Sequence, residues 1–312
     1  MNTIDIGKQG FIGTSIIHGC MRLAGRSVKE ADELINTALE LGINYFDHAD
    51  IYANGESEIL FGKVLAQNPG MRNNITLQTK CGIVRSGDGK EIVAFDFTKE
   101  HIIEALEGSL KRLGTDHIDT LLLHRPDTLM EPEEVAAAFD KLYTSGKVSH
   151  FGVSNQNPMQ IELLKTCVKQ PLVINQLQLS ILECGMIAQG LNTNMTNKLS
   201  YMHDGSVLEY SRINNMTIQA WSPIQVGFFQ GVFIDNPDYP ELNEALAEYA
   251  EKYNCSKTAI AVAWILRHPA KMQVIAGTCN PEHLRQIAEA DKISLTRFEW
   301  YDIYRRAGHS LP

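Results

Sequence analysis

Short apolar runs alternate with amphipathic stretches of helical period along the whole chain, in the order strand, helix, strand, helix. Strands are predicted over residues 16–20, 44–47, 75–80, 118–124, 150–154, 173–179, 217–221 and 272–276, with a β-hairpin over 3–13 ahead of them. In VKEADELINTALELG the residues Leu34, Ile35, Ala38, Leu39 and Leu41 gather on one helical face, and Gly42 stands where a helix is capped. The stretch EHIIEALEGSLKRLG has the same grammar and closes at Gly114. Eight such units close into a (β/α)8 TIM barrel more readily than into an open doubly wound sheet. Two departures stand out. The connection 181–206 is polar, rich in Asn and Gly, and much longer than the roughly 2–6 residues usual there, so it reads as a lid or binding loop. The tail LTRFEWYDIYRRAGHSLP predicts an extra C-terminal helix.

At 312 residues, 44% hydrophobic and 21% charged, the chain has the length for one barrel domain over 1–312, and no linker or low-complexity segment divides it. Its 28 Lys and Arg against 37 Asp and Glu leave −9 with no basic stripe, which argues against nucleic acid as a partner. MNTIDIGKQGF lacks the pattern of a signal peptide, and no apolar run approaches the ~18 residues of a membrane span, so a cytoplasmic protein is expected. Cys20, Cys81, Cys167, Cys184, Cys255 and Cys279 form no CxxC pair and have no His at ligand spacing. Free thiols are expected, rather than zinc or disulfides. No base is visibly paired with Cys81, although it follows Lys80.

Asp47, Tyr52, Lys80 and His124 each fall where a predicted strand gives way to a loop, in INYFDHADIY, ITLQTKCG and DTLLLHRPD. Each has an ordinary explanation alone. Asp47 suits a helix N-cap, Tyr52 a half-buried packing residue, Lys80 a snorkelling side chain, and His124 a hydrogen-bonded core histidine. Their coincidence at the ends of strands two, three and four of a barrel points instead to one proton-transfer site. A phenol of pKa near ~10 is a poor acid at neutral pH, but a neighbouring ammonium favours the phenolate and lowers that value. Lys80 fills this part, with Asp47 holding it charged and His124 donating to a carbonyl oxygen that gains negative charge.

Further segments recur with these: GCMRL from Gly19, TKCGI from Thr79, GKVSHFGVSN ending at Asn155, INQLQLS from Ile174, QAWSP ending at Pro223, and IAGTCNPEHLR ending at Arg285. In this order and spacing the chain resembles the aldo-keto reductases over nearly its whole length. The resemblance implies a (β/α)8 barrel that reduces aldehydes or ketones with NADPH and without a metal, NADH being possible. It makes Asp47, Tyr52, Lys80 and His124 a catalytic tetrad with Tyr52 as proton donor. It also implies that Gly19, Ser154, Asn155 and Gln176 lie at the cofactor, with the last three on the nicotinamide carboxamide, and that Trp221 stacks beneath the ring. Ser222, Pro223 and Gly227 would follow the pyrophosphate, and Gly277, Thr278 and His283 the adenosine end. Many relatives have Arg at the position of His283, so the grip on the 2′-phosphate is expected to weaken or to rest on Arg285.

The resemblance further implies a small-molecule carbonyl substrate and a monomer or weak homo-oligomer. Arg22, just past the first strand, is a candidate for attracting an anionic carbonyl compound or an ordinary ion-paired arginine. Two other readings remain: an NADPH-binding sensor or regulatory subunit like the potassium-channel β-subunits, and a barrel lyase that uses Lys80 as a Schiff-base nucleophile.

Overall fold

The structure is a computed structural model that describes residues 1–87, 89–228 and 230–312. An antiparallel hairpin opens the chain, β1 (Thr3–Ile6) against β2 (Phe11–Thr14), with Thr3 facing Thr14. There follow β3 (Ile16–Gly19), β4 (Tyr45–Asp47), β5 (Thr76–Cys81), a second hairpin of β6 (Ile83–Arg85) and β7 (Ile92–Phe95), then β8 (Ile118–Leu123), β9 (Val148–Ser154), β10 (Leu172–Gln178), β11 (Thr217–Trp221) and β12 (Gln273–Ala276). Eight of these strands, β3, β4, β5 and β8 to β12, are parallel and close into a barrel, with β12 returning to pair with β3. The expected (β/α)8 architecture is present, and the strand limits agree with those predicted to within two residues.

The surrounding helices are α1 (Val28–Glu40), α2 (Glu56–Gln67), α3 (Lys99–Leu113), α4 (Pro132–Thr144), α5 (Pro158–Lys165), α6 (Gly185–Leu191), α7 (Val207–Ile213), α8 (Pro240–Tyr253), α9 (Lys257–Leu266), α10 (Pro281–Ala288) and α11 (Arg297–Arg306). Their starts follow local chemistry: Ser27 caps α1 and Glu30 answers it in a capping box. Gly42 follows the cap residue Leu41 with φ 80°, and Gly114 ends α3 with φ 66°, the left-handed geometry that favours glycine. The predicted tail helix is α11, tied to α9 by Trp264 and Trp300. Their rings stack at 4.5 Å, and each indole N–H donates to the other's backbone carbonyl, at 3.1 and 2.9 Å.

The opening hairpin closes the amino end of the barrel. Ile6 joins Ile17, Tyr45, Leu122 and Ile174 inside it, and Phe11 stacks on His150 at 4.0 Å. The opposite, carboxyl end holds the cavity.

The stretch 181–206 departs from expectation, because it is not one irregular lid. It contains α6 and a short 3-10 turn at Lys198–Ser200, and Ile181, Cys184, Met186, Ile187 and Ala188 are buried in the core. Its apolar residues fall at helical spacing, and burying them outweighs what its Asn and Gly content suggests. The hairpin β6–β7 was not foreseen: its strands are short, and the second is exposed along its length.

Gly62 on α2 faces the end of α3, and a Cβ built there would lie 2.3 Å from the carbonyl oxygen of Arg112. Gly→Ala inside a helix normally gains about 1 kcal/mol, whereas overpacking against backbone costs roughly 1–3 kcal/mol. Gly62→Ala is therefore expected to lower the urea midpoint; an unchanged or raised midpoint would show slack between α2 and α3.

Candidate active site

A cavity of about 970 Å³ opens where the barrel strands end. Gly19, Asp47, Ser154, Gln176, Trp221 and Ala276 line it from strand ends, and Tyr52 and His124 from the turns that follow β4 and β8. Lys80 lies beneath, with no exposure to solvent. Its Nζ donates to Asp47 Oδ2 at 2.9 Å, to the Tyr52 hydroxyl at 2.9 Å and to the backbone carbonyl of His48 at 2.7 Å. An ammonium has three protons to donate, so all are used. Asp47 is no helix cap: it closes β4, almost fully buried, and its Oδ1 also accepts from the side-chain amides of Gln78 at 2.6 Å and Gln176 at 3.1 Å.

These contacts set the charges. Burial alone would lower the Lys80 pKa, but the carboxylate of Asp47 and the oxygen of Tyr52 hold it above the usual lysine value, so the ammonium persists. For Tyr52 the balance differs from expectation: burial pushes its phenol up by more than Lys80 pulls it down. The resting side chain is a protonated phenol with a cation waiting 2.9 Å from its oxygen. Burial, with Lys80 and Arg125 adding to it, drives His124 well below the usual histidine range, and the ring is neutral. It meets the Tyr52 ring edge-on at 6.0 Å between centroids. His124 Nδ1 is buried without a partner among the described residues, so the ring is not the hydrogen-bonded core histidine of the ordinary reading, and the residue lines the cavity.

A second cluster lies on the adjoining wall. Ser154 Oγ donates to the Gln176 carbonyl at 3.0 Å, Asn155 Nδ2 donates to Ser154 Oγ at 2.7 Å, and Trp221 Nε1 donates to Asn155 Oδ1 at 3.2 Å. Asn155 and Ser222 both have positive φ, 57° and 54°, which turns the chain sharply after β9 and β11. Ser222 and Pro223 line the cavity, whereas Gly227 is not among its lining residues. Gly277, Thr278 and His283 line the side next to β3. Arg285 does not; it pairs with Glu282 on α10.

Arg22, the candidate for an anionic substrate, does line the cavity, but it donates from Nη1 to the Gly277 carbonyl at 3.2 Å and so belongs to the Gly277–His283 side. Several other lining residues escaped sequence reasoning, among them Arg26, which approaches the same side at Cys279. Ile83, Ile92 and Phe95 reach the cavity from the second hairpin, and Phe228 and Val232 from the segment after β11; 181–206 contributes nothing. Arg125, one residue past His124, was the legible omission: the same strand end delivers both. Cys20 and Cys81 are buried with thiol pKa values pushed far up, so they stay protonated.

Comparison with known proteins agrees with the barrel fold. The model of the Aldo/keto reductase family matches residues 15–305. The chain is 35% identical over 299 residues to a 6-dehydroglucose reductase of Agrobacterium fabrum, covering 94% of this chain and 93% of that one. It is 34% identical to the oxidoreductase YdhF of Escherichia coli over 99% of both. Among solved structures, the holo form of the aldo-keto reductase AKR11C1 from Bacillus halodurans superposes with a TM-score of 0.77 at 25% identity, covering 100% of this chain and 98% of that one.

Asp50 begins the turn that carries Tyr52, and its N–H donates to the Lys80 carbonyl at 3.1 Å. Its Oδ1 is buried without a partner; burial and the nearby Glu58 carboxylate raise its pKa from 3.8 to about 7. Folded Asp50 thus keeps its proton where the unfolded chain has released it. Its stabilising contribution is complete below pH ~4 and lost as pH rises to about 7. Asp50→Asn cannot ionise, so the variant should gain on the parent by on the order of 1–3 kcal/mol between pH 5 and pH 8 in urea unfolding; parallel stability curves would refute this.

Proposed function

This chain belongs to the aldo/keto reductase family, and on the hydrogen-bonded group around Lys80 we propose that it is an NADPH-dependent reductase of aldehydes or ketones with Tyr52 as its proton donor. Family membership makes it an oxidoreductase acting on small carbonyl compounds. The observation that carries the finer reading is Lys80 Nζ, which bonds Tyr52 and Asp47 at 2.9 Å each and is wholly buried.

The cavity suits a nicotinamide dinucleotide. Trp221 offers a flat apolar face, the Ser154, Asn155 and Gln176 side chains offer amide and hydroxyl groups to a carboxamide, and Arg22, Arg26 and His283 offer donors to phosphate on the side of Gly277. The bound nicotinamide would supply a hydride to the carbonyl carbon. His124, a neutral ring, would donate from Nε2 to the carbonyl oxygen and hold it near Tyr52. The Tyr52 hydroxyl then gives its proton to that oxygen as charge develops, completing the alcohol. The phenolate left behind is stabilised by the Lys80 ammonium, itself held charged by Asp47. An inert phenol at rest that becomes a competent acid only when charge appears next to it fits its raised pKa. Lys80 is a poor Schiff-base nucleophile here, because its amine is protonated and all three protons are donated.

Arg22 and Arg26 change the view of cofactor choice. With two permanent cations beside Thr278 and Asn280, grip on a 2′-phosphate does not have to come from His283.

Tyr52→Phe is expected to lower carbonyl reduction by ~10²–10⁴ while fluorescence titration shows unchanged NADPH binding. Tight NADPH binding without turnover of any aldehyde in the parent protein would favour the regulatory-subunit reading instead. For Arg26→Gln, NADPH binding should weaken by roughly tenfold and NADH binding far less, as expected for loss of a charge-assisted contact to phosphate. Equal losses for both cofactors would remove Arg26 from that role.

A further inference from the structure

The chain carries −9 overall, yet the cavity is lined by four arginines, Arg22, Arg26, Arg85 and Arg125. Among the described lining residues Asp47 is the one carboxylate, and Lys80 neutralises it. Three of the guanidiniums are engaged with their surroundings: Arg22 donates to the Gly277 carbonyl, Arg85 donates to the Gly89 carbonyl at 2.8 Å, and Arg26 bonds Cys279. Arg125 is different. Among the described residues it donates no hydrogen bond and joins no ion pair, although it is half-buried. Its guanidinium carbon instead lies 5.8 Å from the Trp221 ring centre and 5.7 Å from that of Phe228. Asp127, the nearest acid along the chain, spends its oxygens on the backbone N–H groups of Phe97 at 3.0 Å and Leu129 at 2.8 Å.

Contact with aromatic rings engages the faces of a guanidinium and leaves its in-plane N–H donors available. A half-dehydrated cation with free donors calls for an anion, and the fork of Arg matches a carboxylate in two parallel hydrogen bonds. Arg125 directly follows His124, so the anion it binds lies within one small molecule's reach of the reacting carbonyl. The same cavity also has apolar walls, from Ile83, Phe95 and Val232. We propose that Arg125 selects substrates in which an aldehyde or ketone is joined through an apolar body to a carboxylate. This rests on the reductase reading above and names its substrate class.

The test compares 4-carboxybenzaldehyde with 4-nitrobenzaldehyde, a neutral compound of the same shape, and with glyceraldehyde, a neutral polyol aldehyde. Each is assayed with NADPH in the parent, Arg125→Met and Arg125→Lys. Because each variant is compared with the parent on the same substrate, intrinsic reactivity cancels. Arg125→Met should lose roughly 10- to 100-fold in kcat/KM on the carboxylate, the range for a charge-assisted hydrogen bond, with little change on the nitro compound. Arg125→Lys should recover part of that loss, and NADPH binding should persist in both variants. An equal fall on all three aldehydes, or a fall confined to glyceraldehyde, would overturn the proposal and leave the reductase reading standing; so would no fall on any. If the parent protein oxidised NADPH with none of them, the reductase reading itself would fail and take this inference with it.

Discussion

A lysine ammonium without contact with water is tolerable only when every proton and the whole charge find partners, and Lys80 meets that condition through Asp47, Tyr52 and the His48 carbonyl. Such a pair is weak grounds for stability, since dehydrating two ions offsets most of their attraction. On the function proposed above, its value is chemical. The ammonium sits against a phenol that burial keeps protonated, and the charge that would help the phenol ionise is already in position before any substrate arrives. Moving β4 against β5 by one residue would separate Asp47 from Lys80, so the register of the barrel and the chemistry of its carboxyl end are one constraint.

The barrel interior extends this demand downward. Asp47 accepts from Gln78, Gln78 donates to Gln219 at 2.9 Å, Gln219 donates to Gln273 at 3.1 Å, and Gln273 donates to the Thr14 carbonyl at 2.6 Å. A chain of amides therefore links the ion pair to the hairpin at the opposite end. Amides can donate and accept at once, so they satisfy one another inside a barrel where isolated polar groups would be costly. Tyr45 joins the chain through Gln78, at 2.8 Å. The effect is to leave Asp47 little freedom to turn away from Lys80.

Around the mouth the charge pattern reverses that of the molecule. An acidic chain has gathered arginines from three separate regions, after β3, on the β6–β7 hairpin and after β8, about one cavity. The local field there favours anions whatever the net charge, because nearby charges in a partly dehydrated cleft are screened less than those across the surface.

The alternation of apolar runs and amphipathic helices determined the eight strands and their order, because period and chain order alone decide which faces must be buried. It also placed Asp47, Tyr52, Lys80 and His124 at strand ends, and a barrel turns such positions into a common site. What required the tertiary structure was everything set by the balance of distant groups. Tyr52 has a raised pKa because burial outweighs Lys80, and no spacing in sequence reports burial. Arg22 belongs with Gly277, 255 residues away, and 181–206 packs into the core instead of covering the cavity. The second hairpin took its place, since the direction in which a loop folds depends on neighbours that come together only when the barrel closes.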